Sequence, residues 1–229
     1  RWTKRLVIQS PQVRQMVKEE AARSGRSIEA VEYEALKTLQ HIAAKMRIGI
    51  VRLVAVILKF LWNRIYSGVD IPDEDMQRLR QSFRDATPIL IPCHRSHLDY
   101  LLISSQLFYR DMVIPHVIAG DNLSFWPLGS VFRRCGAFFI KRRFGGDRIF
   151  PVIFQRYLHQ LVRDGFPIEF FIEGGRSRTG KLLPPRLGVL KMIMDSAQNL
   201  RDGWDVNLVP IGISYEQIAE ERAYRKELQ

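Results

Sequence analysis

Only two cysteines, Cys93 and Cys135, occur in 229 residues, so no disulfide framework can hold this chain, and a reducing compartment is its expected setting. No stretch reads as a secretory signal. No apolar run reaches the roughly 20 residues that a membrane-spanning helix needs. The nearest is IGIVRLVAVILKFLW, residues 48–62, and it carries Arg52 and Lys59 seven positions apart, on one helical face. It has two readings, a helix buried in a bundle and a helix lying at a membrane surface. Internal repeats and low-complexity tracts are lacking as well. Acidic residues are short: 24 Asp and Glu stand against 35 Lys and Arg, a net charge of +11. Such a surface attracts polyanions, whether nucleic acid, an anionic bilayer or phosphorylated small molecules, and charge alone does not choose among them. The sequence begins at Arg1 and ends in RKELQ, so a piece of a longer protein is expected.

What is present is ordinary globular composition, 46% hydrophobic and 26% charged. Residues 1–86 read as helical. Ser10 precedes Pro11 as a cap precedes a first-turn proline, and Gly25 is a stop. A second helix starts near Ser27, with Ile28, Val31, Ala35, Leu39 and Ile42 at helical spacing. A shorter one follows Pro72. From Thr87 the pattern changes. Short apolar runs, TPILIP, VIPHVIAG, GAFFIKR, IEFFIEGG and NLVPIGISY, alternate with helical stretches at 149–163 and 186–199. This predicts an α/β fold, a mixed sheet flanked by helices over residues 87–229, preceded by the helical region, with functional groups in the loops past the strand ends.

Three stretches carry candidate chemistry. In IPCHRSHLDY, Ser96 and Asp99 have the spacing of a capping box at the start of a helix. The same spacing lets His94 fold back over the first turn, where Asp99 accepts from one ring nitrogen and leaves the other as a base. Two further readings use these residues: Cys93 as a nucleophile, and His94, His97 and Asp99 as metal ligands. Neighbouring residues on a strand diverge, which separates Cys93 from His94, and only His116 remains as a further metal ligand.

In IEFFIEGGRSRTGKLLPP, Gly175 to Lys181 spell all but the last letter of a phosphate-binding P-loop. Leu182 supplies no hydroxyl, and Pro184-Pro185 blocks the helix that should follow. A glycine-rich turn with Arg176, Arg178 and Lys181 remains, suited to one phosphate group or to open solvent, with Glu173 placed to orient the arginines. In VFRRCGAFFIKRRFGGDR, arginines and phenylalanines interleave around a strand. Single-stranded nucleic acid would fit them, but no nucleic-acid module accompanies them, and one arginine at a strand end meeting a phosphate fits equally.

Taken together, H-x-x-x-x-D in CHRSHLD, G-x-F-F-I-x-R in GAFFIKR, the EGGRSR block and the VPI block at Pro210 stand in the order of the glycerolipid acyltransferases, and over residues 87–218 the chain resembles that family. The wording is most similar to the membrane-bound bacterial glycerol-3-phosphate acyltransferases, then to the dihydroxyacetone-phosphate acyltransferases; many relatives carry threonine in place of Gly175. The resemblance implies transfer of a fatty acyl group from acyl-CoA or acyl-carrier protein to the sn-1 hydroxyl of glycerol 3-phosphate, giving lysophosphatidic acid. It implies His94 as general base and Asp99 as its orienting carboxylate. Arg142, Glu173, Gly174, Arg176, Ser177 and Arg178 would bind the substrate phosphate, and Pro210 would shape the acyl-donor side. No metal and no cofactor beyond the acyl donor is implied. The partners would be glycerol 3-phosphate, the acyl donor and a phospholipid membrane surface, at the cytoplasmic face of the inner membrane, with no nucleic acid. A basic nucleic-acid- or membrane-binding module is the expectation of another class.

Overall fold

The computed structural model describes residues 2–84, 86–96, 98–141, 145–177, 179, 181–198, 200 and 204–215. Among these residues five helices come first: α1 (Trp2–Ile8), α2 (Pro11–Ser24), α3 (Ile28–Ile42), α4 (Ile48–Ile65) and α5 (Asp73–Ser82). Their ends are written locally. The Ser10 hydroxyl accepts from the Val13 N–H, Pro11 sits in the first turn, and Gly25 ends α2 in the left-handed region at φ 68°. Ser27 caps α3 through the Ala30 N–H, and Val31, Ala35, Leu39 and Ile42 form its buried stripe. Ile28 of the expected stripe stays 46% exposed, one turn before the helix meets its neighbours.

Strands and helices then alternate: β1 (Ala86–Pro92), α6 (Asp99–Phe108), β2 (His116–Gly120), α7 (Leu128–Arg134), β3 (Phe138–Ile140), α8 (Ile149–Arg163), β4 (Ile168–Glu169), α9 (Gly188–Ala197) and β5 (Asp205–Ile211). The sheet flanked by helices is as expected, but where a mixed sheet was expected every described pairing is parallel, in the order β3-β2-β4-β1-β5, because each strand returns through a helical crossover. Leu90 of β1, the strand between β4 and β5, lies opposite Glu169 on one side and Val209 on the other. The IEFFIEGG run yields a strand of only two residues, after which the Phe170 N–H still donates to the Leu90 carbonyl at 3.1 Å before the chain turns.

Helix α8 covers one face of the sheet with α1, α2, α3 and α9 around it, and Ile89, Phe138, Phe154, Leu158 and Ile168 share a core with Val7, Val31 and Leu39. The change of secondary structure near residue 86 is therefore not a break in packing. On the other face, α6 sets Ile103 and Leu107 against Leu90 and Ile213, with Leu79 and Phe83 at its margin. Helix α4 lies over α6: Trp62 Nε1 donates to Ser105 Oγ at 3.0 Å, and the Tyr109 hydroxyl donates to the Ala55 carbonyl at 2.6 Å.

Helix α4 resolves its two sequence readings into one helix with two apolar faces. Val51, Ala55, Leu58 and Trp62 are buried, whereas Val56 is 69% and Phe60 76% exposed beside Leu53 and Ile57. Arg52 and Lys59 are exposed too. Among the described residues no helix is long and apolar enough to cross a membrane.

Candidate active site

Parallel strands present their carboxyl ends at one edge, so the loops leaving β1, β4 and β5 converge there. His94 follows β1 directly. Its Nδ1 lies 2.9 Å from Asp99 Oδ2, the contact that the spacing of the two residues predicts. Since a carboxylate oxygen accepts, Nδ1 carries the hydrogen and Nε2 keeps its lone pair. The imidazole packs on Phe171 beyond β4 at 4.0 Å between ring centroids, and its side chain is 15% exposed, enough to meet a substrate.

The expected capping box is only half formed. Helix α6 begins at Asp99 itself, with Leu98 as its cap residue and no side-chain bond from it. The Ser96 hydroxyl accepts instead from the Leu98 N–H at 3.0 Å. The other half stands: Asp99 Oδ2 reaches back to the Ser96 N–H at 2.9 Å and to the Arg95 N–H at 2.7 Å. With His94 this oxygen gathers three donors, which tightens the loop ahead of the helix. Asp99 Oδ1 accepts from the Tyr215 hydroxyl beyond β5 at 2.6 Å. The carboxylate is fully buried, so four donors rather than water hold it in place.

Glu173 does not reach out to orient arginines. Its Oε1 accepts from the His94 N–H at 2.9 Å and its Oε2 from the Leu183 N–H at 2.8 Å, clamping the β1 loop to the far side of the glycine turn. Ser177 adds a second clamp: its N–H donates to the His94 carbonyl at 2.7 Å, and its hydroxyl donates to the Lys181 carbonyl. Gly174 has φ 62°, the left-handed region that favours glycine, and a Cβ there would displace the Arg186 side chain, whose Cδ would lie within 2.7 Å. A Cβ on Gly175 would meet nothing within 4 Å, which leaves room for the threonine of relatives. Lys141, past β3, is engaged by Asp147 at 2.8 Å. Helix α9 starts only at Gly188, beyond Pro184-Pro185, so no helix N-terminus follows Lys181 as a P-loop requires.

Behind these loops lies a cavity of about 560 Å³, within the range of small-molecule sites. Val51, Ala55 and Leu58 of α4, Leu101 and Phe108 of α6, Ile118 of β2, Phe132 of α7 and Phe170 give it an apolar wall. His94, Lys141, Gly174, Arg176 and Arg186 line the same cavity, so an imidazole, three cations and an apolar recess form one site.

The structure thus brings His94, Asp99, Glu173, Gly174, Arg176 and Ser177 together. Pro210 stands apart, exposed on edge strand β5 opposite Ile91 and outside the cavity lining. Arg142 and Arg178 fall outside the described residues, as does His97. Cys93 turns away from the cavity, with its Sγ against the Ile213 N–H at 3.2 Å. Cys135 does line the cavity, but burial pushes its thiol up to about 11, which keeps it from being a thiolate. Among the described residues no group of three or more His, Cys, Asp and Glu could hold a metal ion.

Sequence reasoning missed three contributors: Phe171, Tyr215 and Glu169. The first two belong to runs read as strands, and no local signal marks a ring destined to face His94 or Asp99. Glu169 is fully buried in β4, and both its carboxyl oxygens lack a partner among the described residues. Burial, then the charge of nearby Asp99, raises its pKa well above the usual carboxylate range, which favours its neutral form.

Residues 73–214 match the family model described as Acyltransferase. The chain is 42% identical over 223 residues to the glycerol-3-phosphate acyltransferase of Haemophilus influenzae (strain PittEE), 44% identical to that of Shewanella denitrificans, and 43% identical to that of Shewanella baltica (strain OS155). Each alignment covers 97% of this chain and 27% of the relative, so the chain spans about a quarter of the length of the curated relatives it matches.

Proposed function

Because this chain belongs to the acyltransferase family, we propose that it transfers a fatty acyl group from acyl-CoA or acyl-carrier protein to the sn-1 hydroxyl of glycerol 3-phosphate, giving lysophosphatidic acid. The observation that carries the reading is the His94–Asp99 pair set at an apolar cavity. His94 Nε2 takes the hydroxyl proton as the oxygen attacks the thioester carbon. Asp99 holds the Nδ1 tautomer and stabilises the imidazolium. The new C–O bond forms, the C–S bond breaks, and the departing thiolate takes the proton back. A thioester is already an activated acyl group, so the chain's residues need only raise the nucleophile and hold the two substrates.

Arg176, with Arg142 and Arg178, is assigned to the substrate phosphate, supported by the place of Arg176 in the cavity wall. Glu173 and Ser177 serve that site by fixing the loop that carries His94. The apolar recess takes the acyl chain. The exposed face of α4, with Trp126 at 85% exposure and the basic residues Arg52 and Lys59, is assigned to a phospholipid surface at the cytoplasmic face of the inner membrane. Dihydroxyacetone phosphate, which offers the same hydroxyl and phosphate, is the alternative acceptor.

The test is transfer of labelled acyl groups by the full-length protein in phospholipid vesicles, with each donor and each acceptor in turn. Transfer to glycerol 3-phosphate that His94→Ala abolishes supports the reading. Folded parent protein inactive with every pairing would overturn it.

A further inference from the structure

The carboxylate of Asp99 is held from two sides. Oδ2 is bound by its own loop, through His94 Nδ1 and the N–H groups of Arg95 and Ser96. Oδ1 is bound from outside that loop, by the Tyr215 hydroxyl at 2.6 Å, the shortest of the four contacts. Three donors on one oxygen fix a point; the fourth, on the other oxygen, fixes the plane of the carboxylate, and that plane sets where His94 Nδ1–H must aim.

Tyr215 follows β5 and is itself seated by rings. Its ring lies 5.7 Å from that of Tyr66, and Tyr66 lies 6.0 Å from Trp62. Tyr66 is the C-terminal cap residue of α4, its N–H donating to the Trp62 carbonyl, and Trp62 is pinned to α6 through Ser105. A continuous row of aromatic side chains therefore runs from the end of α4 to the carboxylate that orients the base.

We propose that Tyr215 is a positioning residue for the His94–Asp99 pair and that Tyr66 holds Tyr215 in place, so that the seating of α4 is transmitted to the base. This rests on the reading of His94 as the general base. The hydroxyl of Tyr215 stabilises the charge on Asp99 and turns its plane; the ring of Tyr66 sets the hydroxyl's position. The same helix whose outer face is assigned to the membrane thus has its C-terminal end two rings away from the catalytic pair. Among the described residues, the titratable groups facing Asp99 are His94 from its own loop, Tyr215 from beyond β5 and Glu169 from β4.

The variants are Tyr215→Phe, which keeps the ring against Tyr66 and deletes only the hydroxyl, Tyr66→Leu, which deletes the supporting ring, and Tyr66→Phe, which restores it. They are made in the full-length protein and assayed for acyl transfer to glycerol 3-phosphate across pH, beside the parent and His94→Ala. Loss of the hydroxyl leaves more of the Asp99 charge to bind the imidazolium, so the proton leaves the base only at higher pH. Tyr215→Phe is expected to lower kcat about tenfold with KM for glycerol 3-phosphate changed less than about twofold, and to move the acid limb of the kcat/KM profile upward by about half a pH unit. Tyr66→Leu is expected to shift kcat and the acid limb the same way by less, and Tyr66→Phe to recover most of that loss. A Tyr215→Phe enzyme with the parent's kcat and acid limb, or one altered only in KM or thermal stability, overturns the proposal while His94→Ala still tests the base separately. A parent inactive with both acceptors removes the underlying reading and the proposal with it.

Discussion

The two faces of the sheet are built to different ends. Under α8 the packing is dry and aromatic: Phe138, Phe150, Phe154 and Leu158 are at most 1% exposed, and Phe138 stacks on Phe154. Under α6 the apolar cluster of buried residues shrinks to Leu90, Ile103, Leu107 and Ile213. Buried Asp99 and Glu169 lie near one another, and the cavity opens between α4, α6 and the sheet. Close-packed apolar contacts supply most of a fold's stability, whereas a cavity and buried carboxyl groups consume it. One face therefore offsets what the cavity and the buried carboxyl groups of the other cost, and the two should fail in different ways when altered.

The largest contrast is between His94→Ala and Phe154→Ala. The first is expected to lower acyl transfer by about a thousandfold with thermal stability unchanged. The second should cost about 3–5 kcal/mol in denaturant unfolding while the molecules that remain folded keep their turnover. Equal loss of stability in both would erase the distinction between the faces.

Glu173→Gln comes next. Both oxygens of Glu173 accept from backbone N–H groups, and an amide can accept with only one of them. Displacing the His94 loop in this way should lower kcat/KM by about tenfold to a hundredfold, with a smaller change in melting temperature.

Glu169→Gln probes the cost of the functional face directly. The folded pKa of Glu169 is raised, so its carboxyl is neutral in both states at low pH; as pH rises past the unfolded value, the unfolded chain releases a proton that the native state retains, and stability falls. The neutral amide lacks that penalty. Chemical denaturation should find the variant no more stable than the parent near pH 4 and increasingly more stable toward pH 8. His116, buried in β2 and lowered to about 4, works in the opposite direction, since the unfolded chain takes up a proton below about 6.5 that the native state refuses. An unchanged pH dependence in Glu169→Gln would mean that Glu169 is ionised in the fold.

The smallest effects separate two adjacent glycines. Gly174→Ala, at φ 62° and against Arg186, should lose about 1 kcal/mol and perturb the loop assigned to the substrate phosphate. Gly175→Ala meets open space and should stay within about 0.5 kcal/mol of the parent by thermal melting, with unchanged transfer.

Legibility in the sequence followed the range of the interaction. The α8 span of 149–163, the Ser10 cap, the helix start near Ser27 and the stop at Gly25 rest on neighbours a turn away, and they stand where the pattern predicts. The His94–Asp99 contact is equally local, closed within one loop. The end of β4 was harder, because the IEFFIEGG run has strand composition throughout while the turn that ends it rests on Gly174 at φ 62°. Glu173 had the right place and the wrong partners: its bonds go to backbone groups of two loops, and backbone leaves no mark in composition.

By itself the sequence determined the alternation of strands and helices, the apolar stripes that place the core, and the motif residues that converge at one edge of a parallel sheet. Periodicity and caps are properties of consecutive residues, and a parallel sheet aligns strand ends whatever the side chains. Only the tertiary structure decided which side chain completes Asp99, that Glu169 is buried without a partner among the described residues, and that α4 has one apolar face on a cavity and another exposed. Those features depend on the distances between side chains that are far apart in the chain, which the order of strands in the sheet sets and local pattern does not encode.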